Sequence, residues 1–119
     1  MPHDEISRYD DALLLDVLLG ARQIRKYVSG LTEQEFYTND LVQDAMIRQI
    51  QVIGDAVRLM REEAKTRYPT IEWHQIAGMR NRVVHEYFNM RLAIVWKVTQ
   101  EDIPPLINQL ECIVPPEHD

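Results

Sequence analysis

Apolar residues recur at intervals of three and four along most of the chain, which is the spacing of amphipathic α-helices. The first such run extends from about residue 7 to residue 28, and Ser29-Gly30 provides a stop signal behind it. Thr32 and Glu35 have the spacing of a capping box and predict a short helical turn through Tyr37. Strand-like alternation is scarce, so the pattern predicts an all-α fold.

A second long run begins after Asn39 or Asp40, either of which could cap a helix, and continues to about Arg67. Its apolar positions form two stripes, and this width suggests burial against more than one neighbour. Tyr68-Pro69 ends the run, because the residue before a proline is disfavoured in the helical conformation. The two long runs are joined by a short connection, so we expect an antiparallel helical hairpin.

Three further helices are predicted in the second half of the chain. They span about residues 70–87, 92–99 and 102–114, and the last would be capped by Asp102 with Pro104-Pro105 in its first turn. Together the segments predict an up-down helical bundle. We expect one domain over residues 1–119, with its core at about 8–114 and short tails at both ends.

Length and composition agree with an ordinary globular domain. The 119 residues are 45% apolar and 27% charged. The longest apolar run, Leu92–Trp96, is far shorter than the roughly 18 to 20 residues that cross a bilayer, so we expect no membrane span, and we also expect no secretion signal. The lone Cys112 excludes an intrachain disulfide and a multi-cysteine zinc site. We expect a cytoplasmic protein without a metal or another cofactor.

The net charge of -6 argues against nonspecific coating of nucleic acid, an affinity that comes mainly from cations neutralising phosphates. Residues 58–91 nevertheless carry seven cationic side chains against four acidic ones. This cationic band could bind a phosphate locally, while the acidic flanks could attract a basic partner. Ordinary solvated helix faces produce the same pattern, so both interpretations stay open.

The segment 73–87 contains the residues that could carry chemistry. At 100° per residue, Arg80 is the single cation on a stripe that otherwise contains Trp73, Ala77, Val84 and Tyr87. Arginine is almost never fully buried unless it is paired. We therefore expect Arg80 to reach a carboxylate, a phosphate or a subunit boundary.

A second stripe of the same segment is polar or small and contains His74, Gly78, Asn81 and His85. A glycine inside a helix costs about 1 kcal/mol relative to alanine, which suggests that a neighbouring helix or a ligand approaches Gly78. Asn81 lies one helical turn before His85 and could orient its imidazole. Arg80 lies about 140° around the helix from His85, so only its long side chain or a two-fold mate could bring the two groups together.

An imidazole and a guanidinium together suit the cleavage of an RNA phosphodiester by its own 2′-hydroxyl. The imidazole would transfer the protons, and the guanidinium would stabilise the charge of the pentavalent transition state. A histidine with a purely structural role is the alternative that generic physics favours.

The segment Arg80-Asn81-Arg82-Val83-Val84-His85-Glu86-Tyr87 fits the pattern Arg-x4-His-x-Tyr. With this motif the sequence resembles the HEPN superfamily, specifically the HepT-like ribonuclease toxins that are paired with MNT-type nucleotidyltransferases. The resemblance covers roughly residues 8–111. It includes the segments Tyr27-Val28-Ser29-Gly30, Ile53-Gly54-Asp55-Ala56, Ile71-Glu72-Trp73 and Val95-Trp96.

The resemblance implies an all-helical homodimer of HEPN type, in which two Arg-x4-His helices form a composite cleft. It implies a metal-independent endoribonuclease, the toxin of a type VII-like toxin–antitoxin pair, with tRNA as the expected RNA. Arg80 and His85 would be the catalytic pair and Asn81 a positioning residue. Tyr87 would be the hydroxyl to which the MNT antitoxin transfers AMP, although a core aromatic is the competing interpretation for this residue.

Two residues depart from the family pattern. Asp55 stands where the family usually has glutamate, and Arg91 where an aspartate commonly begins the next helix. Asn89 could cap that helix instead, and Arg91, like Arg82, could contact RNA. A noncatalytic HEPN subunit that binds a nucleotidyltransferase partner remains the alternative function, and a purely structural helical dimer is a third.

Overall fold

The computed structural model describes residues 5–114, without the side chains of residues 5–7 and 88–89. All regular structure in this part is helical, which confirms the predicted all-α class. The predicted tail after residue 114 lies outside the described residues, whereas residues 5–7 belong to the first helix. The elements are α1 (Glu5–Val28), α2 (Glu33–Tyr37), α3 (Asp40–Leu59), α4 (Glu62–Arg67), α5 (Trp73–Val84), α6 (Phe88–Lys97), a π-helical turn (Val98–Asp102) and α7 (Ile103–Glu111).

The two longest helices, α1 and α3, form the predicted antiparallel hairpin. Gly20 of α1 packs against Gln49 and Ile53 near the middle of α3, whereas Asp10 near the start of α1 contacts Arg61 just beyond the end of α3. Early positions of one helix thus meet late positions of the other. Most apolar residues of the two helices are buried between them and under α5, which provides the second neighbour predicted for α3, whereas Leu59 at the end of α3 is exposed.

Short-range caps between α1 and α3 form as the sequence predicts. Gly30 has a φ of 74° after α1. Thr32 and Glu35 form a reciprocal capping box at α2, and the backbone N–H of Thr32 lowers the pKa of the Glu35 carboxyl. Of the two candidate caps for α3, Asn39 accepts the hydrogen bond, from the N–H of Val42.

The long second helix predicted to reach Arg67 is instead two helices, because the backbone is extended at Met60 and Arg61. The Asp10 side chain, 3% exposed, accepts hydrogen bonds from the backbone N–H of Arg61 at 3.2 Å and from its Nε at 2.9 Å. This carboxylate satisfies a donor that the break leaves outside the helix. A residue 51 positions away therefore fixes the boundary between α3 and α4.

The second half of the chain also differs from the prediction at its boundaries. Helix α6 begins at Phe88 and continues through the π-helical turn into α7, so Asp102 has helical backbone angles and makes no cap. Pro104 and Pro105 lack N–H donors, and the N–H of Ile103 bonds the carbonyl of Val98, five residues back. The chain therefore passes from α6 into α7 without the non-helical residue that an N-cap would require.

One core fills the space between α1, α3, α5, α6 and α7. Met46, Met60 and Trp73 are buried in it. Cys112 is exposed. Across residues 5–114, none of the helices combines the length and the apolar character needed to cross a bilayer.

Candidate active site

Helix α5 presents its motif residues at the edge of the core and on the surface. The centre of its buried face consists of Ile76, Met79 and Val83, with Trp73 at its start. The predicted polar stripe of His74, Asn81 and His85 faces outward. The stripe that contains Arg80 lies between these two faces, and Ala77, Arg80 and Val84 are all partly buried. The guanidinium of Arg80 therefore lies between the buried and the exposed face of α5, where it can contact neighbouring residues and also remain accessible to solvent.

Gly54 of α3 determines how closely α5 can pack against α3. A Cβ placed on Gly54 would lie 2.5 Å from the Cβ of Arg80 and 3.2 Å from its Cγ. Only a glycine permits this contact, so the stem of Arg80 packs directly on the α3 backbone. Sequence reasoning did not identify this role. The one signal for this role in the sequence was the presence of a glycine inside a long helix, where glycine otherwise lowers helix stability.

The guanidinium of Arg80 is oriented by one neighbour on each helix. Its Nη1 donates to Oδ1 of Asn81 at 3.3 Å, and its Nε lies 3.7 Å from Oδ1 of Asp55. The latter separation is an ion pair without a hydrogen bond. The buried Nε finds no acceptor among the described residues. Arg80 therefore meets the expected carboxylate, but the short Asp55 does not reach its donor.

Asp55 is shared between two guanidinium groups, since its Oδ1 also lies 3.9 Å from Nη1 of Arg58. Because Asp55 and Arg58 are both more than half exposed, solvent screens these interactions and each contributes little to stability. Arg80, whose side chain is 30% exposed, can exchange this carboxylate for another anion.

His85 lies at the C-terminal cap of α5, one position after the last helical residue, and is exposed. The helix is shorter than predicted, since it ends at Val84. The backbone N–H of His85 donates to the carbonyl of Asn81 at 3.0 Å. The Asn81 side chain bonds Arg80, so Asn81 touches both members of the predicted catalytic pair. Within one chain, the described residues show no hydrogen bond between Arg80 and His85.

Tyr87 is 87% exposed and forms the N-cap position of α6. The alternative interpretation of Tyr87 as a core aromatic is therefore wrong. Its side chain stands two residues after His85, at the same turn between α5 and α6. A reagent in solution can reach its hydroxyl.

Arg91 holds this turn together. Its Nη2 donates to the carbonyl of Glu86 at 3.1 Å, and its backbone N–H donates to the carbonyl of Tyr87 at 2.7 Å. The buried Nε of Arg91 has no acceptor in the described part of the chain. Asn89 lies inside α6 rather than at its N-cap, and its side chain is outside the described residues. Arg91 thus contacts the backbone that carries His85 and Tyr87.

Arg82, the other residue predicted to contact RNA, projects from α5 toward the π-helical turn. Its Nη2 lies 3.7 Å from Oδ2 of Asp102, and about half of its side chain is exposed. The carboxylate that was expected to cap α7 is therefore engaged in an interhelical ion pair.

A groove of about 710 Å³ runs between α4 and α5 and is bordered at one point by Asn81. Within residues 5–114, no three histidine, cysteine, aspartate or glutamate side chains come together as a metal site.

Comparisons with known proteins agree with the motif. Residues 18–113 match the family described as "Ribonuclease HepT-like". Two Methanocaldococcus jannaschii proteins, each named a "Putative RNase", are similar to the chain. One is 28% identical over 102 residues, covering 86% of this chain and 94% of the relative. The other is 31% identical over 103 residues, covering 87% and 85%.

A protein of Thermococcus cleftensis, named "Probable ribonuclease HepT", is 30% identical over 98 residues, which cover 82% of this chain and 89% of the relative. No solved structure matches the chain.

Proposed function

The chain belongs to the HepT-like ribonuclease family, and from this premise we propose that it is a metal-independent endoribonuclease whose Arg80 and His85 act on the same RNA phosphodiester. The observation that supports this best is the position of Asn81. It contacts Arg80 through its side chain and His85 through its backbone, at the exposed end of α5. The guanidinium of Arg80 and the backbone of His85 thus both contact one residue, and both side chains can meet a substrate.

Cleavage would use the 2′-hydroxyl of RNA as the nucleophile. The neutral imidazole of His85 takes the hydroxyl proton while the 2′-oxygen forms a bond to phosphorus. The bond from phosphorus to the 5′-oxygen breaks, and a protonated imidazole returns a proton to that oxygen. Arg80 stabilises the negative charge that accumulates on the phosphoryl oxygens. The products are a 2′,3′-cyclic phosphate and a 5′-hydroxyl, and DNA is not cut because it lacks the nucleophile.

Two copies of the chain would assemble one composite cleft. His85 lies just beyond the last residue of α5, and within one copy no described hydrogen bond joins it to Arg80, so a two-fold arrangement can bring Arg80 of one copy to His85 of the other. Asn81 and His85 are exposed at the end of α5, which leaves room for a second α5. The active species is therefore a homodimer.

Control of the enzyme would be covalent. The hydroxyl of Tyr87 attacks the α-phosphate of ATP, pyrophosphate leaves, and AMP remains on the tyrosine, with an MNT-type nucleotidyltransferase as the catalyst. The exposure of Tyr87 supports this proposal. A nucleotide beside His85 adds bulk and negative charge, which repel an incoming phosphate. The pair would act as a toxin and antitoxin in the cytoplasm, with tRNA as the target.

The test incubates purified protein in EDTA with tRNA and with a DNA of matching sequence. We expect cyclic-phosphate ends on RNA alone, and their loss in Arg80→Ala and His85→Ala. Arg25→Ala, which removes an exposed arginine from the far end of α1, serves as the matched control and should remain active. Thermal melts verify that all variants are folded.

A noncatalytic subunit gives the opposite result. The ion pair between Arg80 and Asp55 is the observation that favours it, since Arg80 then has a structural partner without any substrate. In that case RNA remains intact, and the wild-type protein binds the nucleotidyltransferase stoichiometrically. Cleavage that survives His85→Ala would also contradict the proposed mechanism.

A further inference from the structure

The groove between α4 and α5 adjoins the motif at Asn81 and has no role in the chemistry described above. Its volume of about 710 Å³ lies within the range of about 300–1,000 Å³ typical of small-molecule sites. The charged border of the groove consists of Arg58, Glu62 and Lys65. Its wall includes Trp73 and Gly78. It is therefore a candidate for the part of a substrate that lies next to the scissile bond.

The walls of this groove are fixed by hydrogen bonds. The indole N–H of Trp73 lies 3.0 Å from the carbonyl of Lys65 and 3.1 Å from that of Tyr68, and it donates to both. These bonds hold the end of α4 against the start of α5. The other end of α4 is held through Arg61 and the buried Asp10. The groove is thus present before any ligand binds.

The two cations at the border are held only loosely. The Nζ of Lys65 lies 3.6 Å from Glu62, and Nη1 of Arg58 lies 3.9 Å from Asp55. Both pairs involve a carboxylate that is more than half exposed, so solvent screens them. A phosphate can replace either carboxylate at little cost, since it offers each cation a charge-assisted hydrogen bond.

The wall between these cations and Asn81 is open at Gly78. Apart from the backbone of its own helix, no described atom lies within 4 Å of a Cβ built there. A ligand can therefore approach the α5 backbone directly, one turn before Asn81. Positive charge along one side and an open path to the motif are the features of a groove that follows a nucleic-acid backbone.

We infer that this groove binds the single-stranded RNA segment next to the scissile linkage, with Arg58 and Lys65 contacting its phosphates. The inference rests on the proposed nuclease function, which supplies RNA as the substrate. A groove of this size excludes a duplex, whose A-form is recognised across a wide surface. Structured RNA would consequently be cut where its strand is unpaired.

The test measures binding of a uniformly 2′-O-methylated octauridine, which cannot be cleaved, to the full chain at several KCl concentrations. Arg58→Gln and Lys65→Gln should each weaken binding. Each should also reduce the slope of log K against log[KCl] by about 0.7, the value for one phosphate on a single strand. Glu62→Gln removes the competing carboxylate and should tighten binding, an effect that misfolding cannot produce.

Lys97→Gln is the matched control. Lys97 also pairs loosely with a carboxylate, that of Glu101 at 3.9 Å, but it does not border the groove. The affinity of Lys97→Gln for octauridine and the salt slope of this variant should equal those of the wild-type protein. Slopes unchanged in Arg58→Gln and Lys65→Gln would overturn the inference. It would also be overturned if these variants shifted only the dimer dissociation constant in sedimentation, because the groove would then be a contact between copies.

Failure of this inference and failure of the nuclease proposal are distinguishable. Cleavage of tRNA with normal salt slopes in both variants rejects the groove and retains the nuclease. Conversely, the protein could bind octauridine through Lys65 and yet cleave no RNA. This result would reject the nuclease proposal and support the RNA-binding role of the groove.

Discussion

Gly54 of α3 lies directly against Arg80 of α5, since a Cβ on Gly54 would lie only 2.5 Å from that of Arg80. The position of a proposed catalytic guanidinium therefore depends on the absence of one methyl group on the neighbouring helix. The carboxylate that faces Arg80, Asp55, is the next residue of α3. The residue that packs on Arg80 and the carboxylate that pairs with it are thus consecutive residues of α3.

The first prediction concerns Gly54→Ala. The added methyl group must push α5 away from α3, because it meets the first carbon of a side chain and not a flexible end. We expect a loss of about 1–3 kcal/mol in the free energy of unfolding, as for other overpacked sites. We also expect a lower kcat for RNA cleavage.

Gly78→Ala is the matched control for stability. It adds the same methyl group to open space in α5, so it should raise the free energy of unfolding by up to about 1 kcal/mol through helix propensity. Urea denaturation measures both variants. Equal stability changes in the two would show that the contact between Gly54 and Arg80 is not tight.

The second prediction concerns the buried Asp10, which bonds the backbone and the guanidinium of Arg61. Asp10→Ala leaves these donors without that acceptor and should cost about 1–3 kcal/mol of folding free energy. Asp10→Asn keeps one acceptor oxygen and should cost less. Asp16→Ala, an exposed aspartate of the same helix, should stay within about 0.5 kcal/mol of the wild type. A similar loss in Asp16→Ala would contradict this role of Asp10.

The third prediction separates two roles of Arg91. Its bond to the carbonyl of Glu86 positions the turn that carries His85. Arg91→Met should therefore lower kcat by about 10- to 100-fold, since a small displacement of a catalytic group is costly. It should leave KM for RNA nearly unchanged, and Arg91→Lys should restore part of kcat. A raised KM with normal kcat would instead identify Arg91 as the RNA contact that the sequence suggested.

The fourth prediction concerns modification of Tyr87. Incubation with an MNT-type nucleotidyltransferase and ATP should add AMP to Tyr87 and abolish cleavage, as followed by mass spectrometry and an RNA assay. Tyr87→Phe should remain an active nuclease that is no longer modified. Because Tyr87 is exposed, this variant should melt at the wild-type temperature.

Tyr37→Phe is the matched control for modification. The Tyr37 hydroxyl donates to Glu33 at 3.0 Å, and partial burial together with this carboxylate raises its pKa. Its hydroxyl is therefore already engaged by a carboxylate, and its removal should leave AMP transfer unchanged. Loss of the modification in Tyr37→Phe but not in Tyr87→Phe would contradict the assignment.

Local patterns predicted most of the helices, because periodic apolar residues and short-range caps act over a few residues. The capping box of Thr32 and Glu35 and the cap at Asn39 are examples. The break at Met60 could not be predicted in this way. It depends on Asp10, which is distant in sequence and is brought near only by the antiparallel pairing of α1 and α3.

The candidate site shows the same division. Helical spacing alone predicted that Asn81 and His85 are neighbours, and the backbone N–H of His85 bonds the carbonyl of Asn81. The exposure of Tyr87 and the contact of Arg91 with the α5–α6 turn depend on where α5 ends, which local signals placed two to three residues too late. The contact between Gly54 and Arg80 depends on packing between two helices, which no local signal encodes.

The central claim, that Arg80 of one copy acts with His85 of another, is tested most directly by mixing two inactive variants. Arg80→Ala and His85→Ala are unfolded together, refolded together and assayed for cyclic-phosphate ends on tRNA. A mixed dimer contains one intact site if the groups act across the two-fold axis. The mixture should then recover about a quarter of the wild-type activity, since half of randomly formed dimers are mixed. A mixture as inactive as either variant alone would contradict the claim.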